Sequence, residues 1–226
     1  MFKFPSTPHL LGSDFIDIRN DKIMPPAEVK DMLSKEIIVE EKIDGANLGI
    51  SFNSYGDLIL QNRGKIITSP LTGQWIGVHK WINEKIESFF DTLSDHYIIF
   101  GEWCFATHSI YYDSLPDWFL GFDVFDKKEN VFIDINRRNE IFKKCNITPV
   151  PLVSIGQFTI SEIYEMITIS AFSTNKSEGV YLKQENDRQV IKRAKIVRDD
   201  FIQNIDEHWS KKTLVKNKVT YNKNHH

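Results

Sequence analysis

One lysine in this sequence stands where a side chain could do covalent chemistry. Lys42 follows an apolar, strand-like stretch (residues 36–40) and comes shortly before Asp44-Gly45, where the glycine predicts a turn. A structural lysine usually lies on a solvated face, whereas a strand ending here would carry Lys42 toward a cleft. Because an amine is nucleophilic only when deprotonated, cations or desolvation must lower its pKa. Lys42 is therefore a candidate nucleophile, and the alternative is a surface lysine at a strand end.

Further chemically capable residues follow in order along the chain. Glu102 comes after a glycine at the end of one predicted strand, and Glu178 comes before a glycine at the start of another. Phe122 lies between them, in a strand where aromatic residues and acids alternate. Arg193 and Lys195 fall on one face of a late strand, because strand side chains alternate with a period of two. Each of these residues alone is weak evidence of a functional site. Their occurrence in this order strengthens the interpretation of Lys42 as a nucleophile.

The elements that must position these residues are mostly short strands. Period-two alternation and turn residues predict strands at residues 36–40, 48–52, 58–62, 97–103, 118–125, 179–183 and 189–197. Helical spacing predicts helices at residues 27–33, 75–93, 136–145, 160–169 and 201–209. Since no regular crossover helices separate the strands, the pattern favours an α+β fold with antiparallel sheets over a doubly wound fold.

Composition narrows the class of protein. The 226 residues are 41% hydrophobic and 26% charged, which is typical of a soluble globular domain. A net charge of -3 argues against non-specific coating of nucleic acid. No apolar run is long enough to span a membrane, and no signal peptide is predicted. Two distant cysteines indicate a reducing compartment and no zinc site, so we expect a cytoplasmic protein with no membrane partner.

The chain divides into one domain and a short tail. We predict a domain over residues 1–210 that ends in a closing helix, followed by a basic tail over residues 211–226. Between residues 211 and 223 the tail contains five lysines and no acid. Such a run is typical of a solvated segment, and a contact with nucleic acid is the alternative.

The sequence EKIDGAN at residues 41–47, followed by GISF at 49–52, resembles the nucleophile motif of the covalent nucleotidyltransferases. This superfamily contains ligases and mRNA capping enzymes. The likeness extends over about residues 36 to 200 and is closest to the nick-sealing type of the ATP-dependent RNA ligase family. It implies a nucleotidyltransferase (ATP-grasp-like ligase) domain with two antiparallel sheets flanked by helices and ATP in the groove between them. We expect no OB-fold, because the roughly 25 residues after the last motif are too few for five strands.

The resemblance implies catalytic roles at matching positions. Lys42 would attack the α-phosphorus of ATP, expel pyrophosphate and carry AMP. Lys195 and Arg193 would hold the α-phosphate and stabilise its charge in the transition state. The family usually has Lys-x-Lys here, so the Arg-x-Lys of this chain leaves Lys192, out of phase, as an alternative to Arg193. Glu178 would bind Mg²⁺ (or Mn²⁺), which prefers carboxylate and water ligands.

Other residues would bind the nucleotide. The resemblance implies that Glu41 contacts the adenine, although a solvated acid is the alternative. Asn47 would reach a phosphate or the substrate end, and Arg63 the ribose or the phosphates, for which arginine is suited. Glu102 would accept hydrogen bonds from the ribose hydroxyls. Lys183 is a further candidate phosphate contact.

An aromatic side chain would complete the nucleotide site. Phe122 would stack on the adenine, because aromatic faces bind bases without reading their edges. Phe119 and Phe125 compete for this role.

The activity that the resemblance implies is ATP-dependent RNA ligation in RNA repair. Lysyl-AMP would form first, AMP would pass to a 5′-phosphate RNA end, and a 3′-hydroxyl would then displace AMP. RNA ends or a nicked duplex would be the substrates, and a repair partner protein could help to hold them. The alternatives are a minimal ATP-dependent DNA ligase, a non-catalytic nucleotide- or RNA-binding module on the same scaffold, and a guanylyltransferase.

Overall fold

The structure is a computed structural model that describes residues 2–11, 23–203 and 214–220. Its strands are β1 (Ile37–Lys42), β2 (Ala46–Phe52), β3 (Leu58–Asn62), β4 (Lys65–Ile66), β5 (Tyr97–Trp103), β6 (Phe119–Asp126), β7 (Val131–Phe132), β8 (Thr148–Pro149), β9 (Leu152–Gly156), β10 (Gly179–Glu185) and β11 (Val190–Val197). Its α-helices are α1 (Pro26–Leu33), α2 (Val78–Asn83), α3 (Ile86–Leu93), α4 (Ile135–Lys144), α5 (Ile160–Glu165) and α6 (Asp199–Gln203).

The strands form two sheets. The small sheet has the order β11-β10-β1-β9, and all its pairings are antiparallel. The large sheet has the order β4-β3-β2-β5-β6-β7 and is antiparallel along this path, but β8 joins it as a parallel neighbour of β6. The predicted α+β class with two sheets and flanking helices is confirmed. The expectation of purely antiparallel sheets fails only at β8, which is two residues long.

Two predicted helices are wrong in extent. The helix predicted over residues 160–169 ends at Glu165 as α5. In place of a single helix over residues 75–93, the chain forms a 3₁₀ helix at Gly73–Trp75 followed by α2 and α3. The break before α2 falls at Gly77, whose φ of 85° belongs to the left-handed region that glycine adopts without strain. The predicted closing helix over 201–209 begins as α6, and its residues beyond 203 lie outside the described part. Among the described residues, no helix has the length and apolar character needed to cross a membrane.

Apolar side chains hold the helices to the outer faces of the sheets. Trp81 of α2, Phe89 of α3 and Phe142 of α4 are buried in one cluster with residues of the large sheet. Met32 of α1 and Ile163 of α5 are buried in another cluster with residues of the small sheet. Two further apolar clusters combine residues of both sheets. The sheets therefore face each other across an interior layer, which is where the candidate site lies.

Charged side chains are buried within this interior layer. Glu40 of β1 accepts from Arg138 of α4 at 2.6 Å and pairs with Lys183 of β10 at 2.8 Å. Lys183 also pairs with Asp123 of β6 at 2.9 Å, and Asp123 pairs with Arg193 of β11 at 3.2 Å. Burial raises the pKa of Asp123, but the cations of Arg193 and Lys183 outweigh it and hold that pKa below its usual range. The cluster thus joins the two sheets through complementary charges.

We expect Lys183→Met to destabilise the protein by roughly 3–5 kcal/mol, because it leaves buried carboxylates without their shared cation. The matched control is Lys192→Met on the neighbouring strand. Lys192 pairs with the partly exposed Asp31, so its loss should cost less than about 1 kcal/mol. Urea unfolding of both variants measures the difference. Equal stability of the two variants would show that the buried cluster does not join the sheets.

Candidate active site

A cavity of about 350 Å³ opens between the two sheets. The small sheet and the large sheet each contribute one wall, and the N-terminal residues cover a third side. Its lining comprises Lys3, Phe4, Pro5, Ser6, Thr7, Glu40, Glu41, Lys42, Ile43, Asn47, Arg63, Glu102, Phe122, Val150, Tyr181 and Lys195. The cavity has the size of a small-molecule site.

Lys42 occupies the last position of β1, where the strand register sets its surroundings. Gly179 is its antiparallel partner in β10, so the preceding residue, Glu178, lies beside the lysine. The Nζ atom of Lys42 donates to Oε2 of Glu178 at 2.7 Å. Gly179 permits the close approach of β11 on its other side, because a Cβ there would stand 1.9 Å from the carbonyl oxygen of Ile196.

Three carboxylates govern the charge of Lys42. Burial lowers its pKa, but Glu178, Glu102 and Asp44 act in the opposite direction, and the net result is a pKa above the usual range. Burial also disfavours the charged form of Glu178 and so raises its pKa. Lys42 offsets only part of this rise. The carboxylates around Lys42 therefore favour its ammonium form, and the amine becomes nucleophilic only when this carboxylate field is weakened.

Glu102 lies across the cavity from the small sheet. It is the register partner of Asn47 in β2, whose Oδ1 accepts from the backbone amide of Arg63 at 3.2 Å. Burial raises the pKa of Glu102 to about 8, and the nearby Glu178 and Asp44 contribute to the rise. Its Oε2 is buried and has no hydrogen-bond partner among the described residues. A buried oxygen of this kind needs a partner, so the carboxyl group is available to a ligand in the cavity.

Asp44 holds the turn that follows the lysine. Its Oδ2 accepts from the amides of Ser109 and Ile110 at 2.7 and 2.9 Å, and its own amide donates to the Tyr112 hydroxyl at 2.8 Å. Gly45, the next residue, packs closely against β5, since a Cβ at this position would stand 3.1 Å from Cβ of Glu102. The turn is thereby fixed between β5 and the loop at 108–112.

Aromatic side chains line another part of the cavity. Phe122 contacts Phe4 edge-on, with ring centroids 5.4 Å apart, and lies 6.4 Å from the ring of Tyr181. The two rivals proposed from sequence lie elsewhere. Phe119 is buried beneath α2 in the outer cluster, and Phe125 stacks on Phe2. Of the three candidates, Phe122 is the one that faces the cavity.

Two cations proposed from sequence as nucleotide contacts do not line the cavity. Lys183 and Arg193 are directed at Asp123, and Lys183 also pairs with Glu40. Arg193 further places its guanidinium 3.8 Å from the ring centroid of Phe132. Lys195, two residues along β11, does line the cavity. The cavity therefore brings together Lys42, Glu41, Asn47, Arg63, Glu102, Phe122 and Lys195, with Glu178 bonded to Lys42.

Glu41 has partners of its own at the cavity wall. Its carboxylate accepts from the hydroxyl of Ser170 at 2.5 Å and from the amide of Ala171 at 3.0 Å. Burial raises its pKa despite these two bonds. Glu41 is therefore anchored to the 170–171 loop and is not a freely solvated acid.

The N-terminal residues form a part of the site that the sequence did not predict. The amide of Phe4 donates to the carbonyl of Arg63 at 3.1 Å, and the hydroxyls of Thr7 and Tyr181 are 3.0 Å apart. The segment has no helix or strand period, so no local pattern linked it to the cavity. The aromatic spacing of Phe2 and Phe4 was the available signal, since both rings pack against the interior.

We expect Glu102→Gln to stabilise the ligand-free protein at high pH. With a folded pKa of about 8 against an ordinary value of 4.5, folded Glu102 binds more protons than unfolded Glu102 between these values. Its contribution to stability is therefore lost as the pH rises through this window. The variant should gain roughly 3–4 kcal/mol relative to wild type between pH 5 and pH 9.

Thermal or urea unfolding at both pH values measures this gain. Glu36→Gln, at an exposed position before β1, is the control and should show no pH-dependent gain. A pH-independent difference for Glu102→Gln would contradict the assignment of a raised pKa.

The fold and the site together define a class of protein. It is an α+β domain with a lysine among carboxylates, in a cavity between two sheets. A sequence profile of the RNA ligase family matches residues 35–197, which is most of the chain. The chain belongs to the RNA ligase family. A search of curated proteins finds no match.

Solved structures share the fold at low sequence identity. A variant of the Naegleria gruberi RNA ligase with ATP and Mn is 13% identical, with a TM-score of 0.65 over 90% of this chain and 58% of the other. Another variant of that ligase, with AMP and Mn, is 16% identical, with a TM-score of 0.61 over 89% and 63%. An archaeal ATP-dependent RNA ligase is 18% identical, with a TM-score of 0.59 over 85% and 48%. The chain thus spans less than two thirds of the length of these structures.

Proposed function

We propose that the protein is an ATP-dependent RNA ligase that acts in RNA repair and carries AMP on Lys42. Residues 1–210 form its adenylylation domain in this proposal. The observation that supports it most directly is the position of Lys42, which lines a nucleotide-sized cavity, bonds to Glu178 and lies near Glu102. Membership of the RNA ligase family supplies the class of reaction.

The first step forms lysyl-AMP. The Lys42 ammonium group first gives up one proton to water, the Nζ lone pair attacks the α-phosphorus of ATP, and a second proton passes to water from the nitrogen. An N–P bond forms, the bond to the bridging oxygen breaks, and pyrophosphate leaves with that electron pair. Lys195 and Arg63 are two cations of the cavity lining that would stabilise the charge on the phosphates. Because the neighbouring carboxylates favour the ammonium form of Lys42, the lysine must be deprotonated before it attacks.

The residues that line the cavity suit the parts of a nucleotide. The cations Lys42, Lys195 and Arg63 would take the phosphates. Glu102, whose buried Oε2 has no hydrogen-bond partner among the described residues, would accept hydrogen bonds from the ribose hydroxyls. Phe122 would stack on the adenine. Stacking alone does not select adenine over guanine, so base choice is left to polar groups near Phe122.

A divalent cation fits beside Lys42 and the phosphates. No group of three or more His, Cys, Asp or Glu side chains in the described part of the chain could hold a metal ion alone. Magnesium is usually bound by one or two carboxylates together with substrate phosphates and water. Glu178 would hold Mg²⁺ or Mn²⁺ in this way, and the ion would supply positive charge that favours the neutral form of Lys42.

The later steps join two ends of RNA. A 5′-phosphate oxygen attacks the phosphorus of the lysyl-AMP, the N–P bond breaks, and a 5′–5′ pyrophosphate forms. A 3′-hydroxyl then attacks the 5′-phosphorus, and AMP leaves as a phosphodiester forms. RNA ends or a nicked duplex are the proposed substrates, and a repair partner protein could hold them.

Covalent labelling tests the first step. Incubation with α-labelled ATP or GTP and magnesium, followed by denaturing electrophoresis, should give an acid-labile band from ATP alone. Lys42→Ala should reduce the band by at least about a thousandfold, because the nucleophile is gone. Lys35→Ala is the control, since Lys35 forms an exposed ion pair with Asp31, and it should label normally.

Each other result points to a different function. Undiminished labelling of Lys42→Ala would refute the assignment of the nucleophile. A folded wild-type protein without a band from either nucleotide would indicate a binding module. If labelling succeeds, nicked duplexes with RNA or DNA 3′-hydroxyl strands separate an RNA ligase from a minimal DNA ligase.

We expect Phe122→Leu to raise the KM for ATP about tenfold, because it removes roughly 1–2 kcal/mol of stacking while keeping an apolar side chain. Phe125→Leu is the matched control on the same strand. Phe125 stacks on Phe2 away from the cavity, so its loss should affect stability more than the KM. Initial adenylylation rates over a range of ATP concentrations measure both values. Equal KM changes in the two variants would contradict the role of Phe122.

A further inference from the structure

We propose that residues 214–220, here called the C-terminal strap, use the side chain of Asn217 to position the turn that follows Lys42. This turn, residues 43–45, is here called the nucleophile turn. The inference rests on the proposed function, because it concerns how fast Lys42 reacts. It assigns Asn217 and Tyr112 as positioning residues that contact neither the cavity nor its nucleotide.

The strap is bonded along its length to the segment that follows β5. On one side, the amide of Thr107 donates to the carbonyl of Val215 at 2.8 Å, and the amide of Asn217 donates to the carbonyl of Phe105 at 3.1 Å. On the other side, the amide of Lys218 donates to the carbonyl of Tyr112 at 2.9 Å. The backbone of residues 214–220 is therefore bonded to the domain, while most of its side chains, including Lys216 and Lys218, are exposed to solvent.

Asn217 is the buried centre of the strap. Its side chain is only 2% exposed, although its neighbours Lys216 and Lys218 are exposed. Its Oδ1 accepts from the hydroxyl of Thr107 at 2.8 Å and from the amide of Tyr112 at 2.9 Å. Its Nδ2 donates to the carbonyl of Cys104 at 2.9 Å. One side chain thus fixes both the end of the strand that carries Glu102 and the backbone of Tyr112.

Tyr112 passes this constraint to the nucleophile turn. The fully buried tyrosine accepts the amide proton of Asp44 on its hydroxyl at 2.8 Å. Asp44 in turn binds the amides of Ser109 and Ile110, so the loop and the turn hold each other. Asp44 is two residues from Lys42, at the point where the ladder of β1 has ended.

Apolar packing follows the same route. Ile43, next to Lys42 in sequence, is 2% exposed and belongs to a buried cluster with Tyr112 and Leu115. Val219 of the strap packs against this cluster. The strap therefore supports the turn through both hydrogen bonds and burial. Because a misplacement of about 1 Å can cost a factor of about a hundred in rate, we expect loss of this support to lower the rate of adenylylation.

Two variants test the inference on the full chain. Asn217→Ala removes the polar centre of the strap, and Tyr112→Phe removes only the hydroxyl that accepts from Asp44. Each should lower the rate constant for labelling of Lys42 by about 10- to 100-fold, with little change in the affinity for ATP. Because the two act through one route, the double variant should be no slower than the slower single variant. Lys218→Ala, at an exposed strap position, is the control and should label at the wild-type rate.

Amide hydrogen exchange of Asp44 supplies a readout that does not depend on activity. Exchange at this amide should accelerate in Asn217→Ala, while exchange in the centre of β2 and β5 stays unchanged. The inference is overturned if Asp44 exchange and labelling rate are both unchanged in Asn217→Ala. It is also overturned if the rate losses in the two variants multiply, or if ATP affinity falls as much as the rate. No labelling of the wild-type protein overturns the proposed function, and with it the inference. Normal wild-type labelling with no effect of the variants overturns the inference alone.

Discussion

Between the two sheets, the carboxylates of Glu40 and Asp123 and the cations of Lys183 and Arg138 are almost wholly shielded from water. Each of these charges would be strongly unfavourable alone in the interior. Lys183 meets Glu40 from the small sheet and Asp123 from the large sheet, so its ammonium group bridges the two sheets. The sheets cannot separate without exposing unpaired charge, and the distance between the cavity walls is set accordingly.

The same strands that bury these charges also carry the candidate nucleophile. β1 holds Glu40 in the buried cluster and ends two residues later at Lys42, at the cavity. β6 similarly carries Asp123 in the cluster and Phe122 at the cavity. The cluster thereby fixes Lys42 and Phe122 with respect to each other. The carboxylates around Lys42 add a second constraint, because they favour the protonated amine until nearby positive charge weakens their field.

Much of this site could be predicted from the sequence, since its residues lie next to strand ends and glycines. Lys42, Glu102 and Glu178 were each recognisable because a strand and a turn fix where such a side chain emerges. Arg193 and Lys183 show the limit of that reasoning. The period of two predicts that Arg193 and Lys195 share a face of β11, but it does not say which of them meets Asp123 and which faces the cavity. That choice depends on a partner from the other sheet.

Long-range contacts account for the remaining differences. β9 was not predicted, because the short stretch after two prolines becomes a strand only by pairing with the edge of β1. The N-terminal segment and the C-terminal strap have no period, and their positions come from long-range hydrogen bonds such as those of Thr7 and Asn217. The basic composition of the tail reflects its exposed lysines. It therefore gave no indication that Asn217, which lies among them, is buried.

Lys42 is the residue that we propose becomes covalently attached to AMP. Proteolysis and tandem mass spectrometry after incubation with ATP and magnesium locate the adduct. We expect one adenylyl group per chain, on the peptide that contains Lys42 and on that side chain. Attachment to another lysine, such as Lys195, or an unmodified chain that binds ATP would show that Lys42 is not the nucleophile.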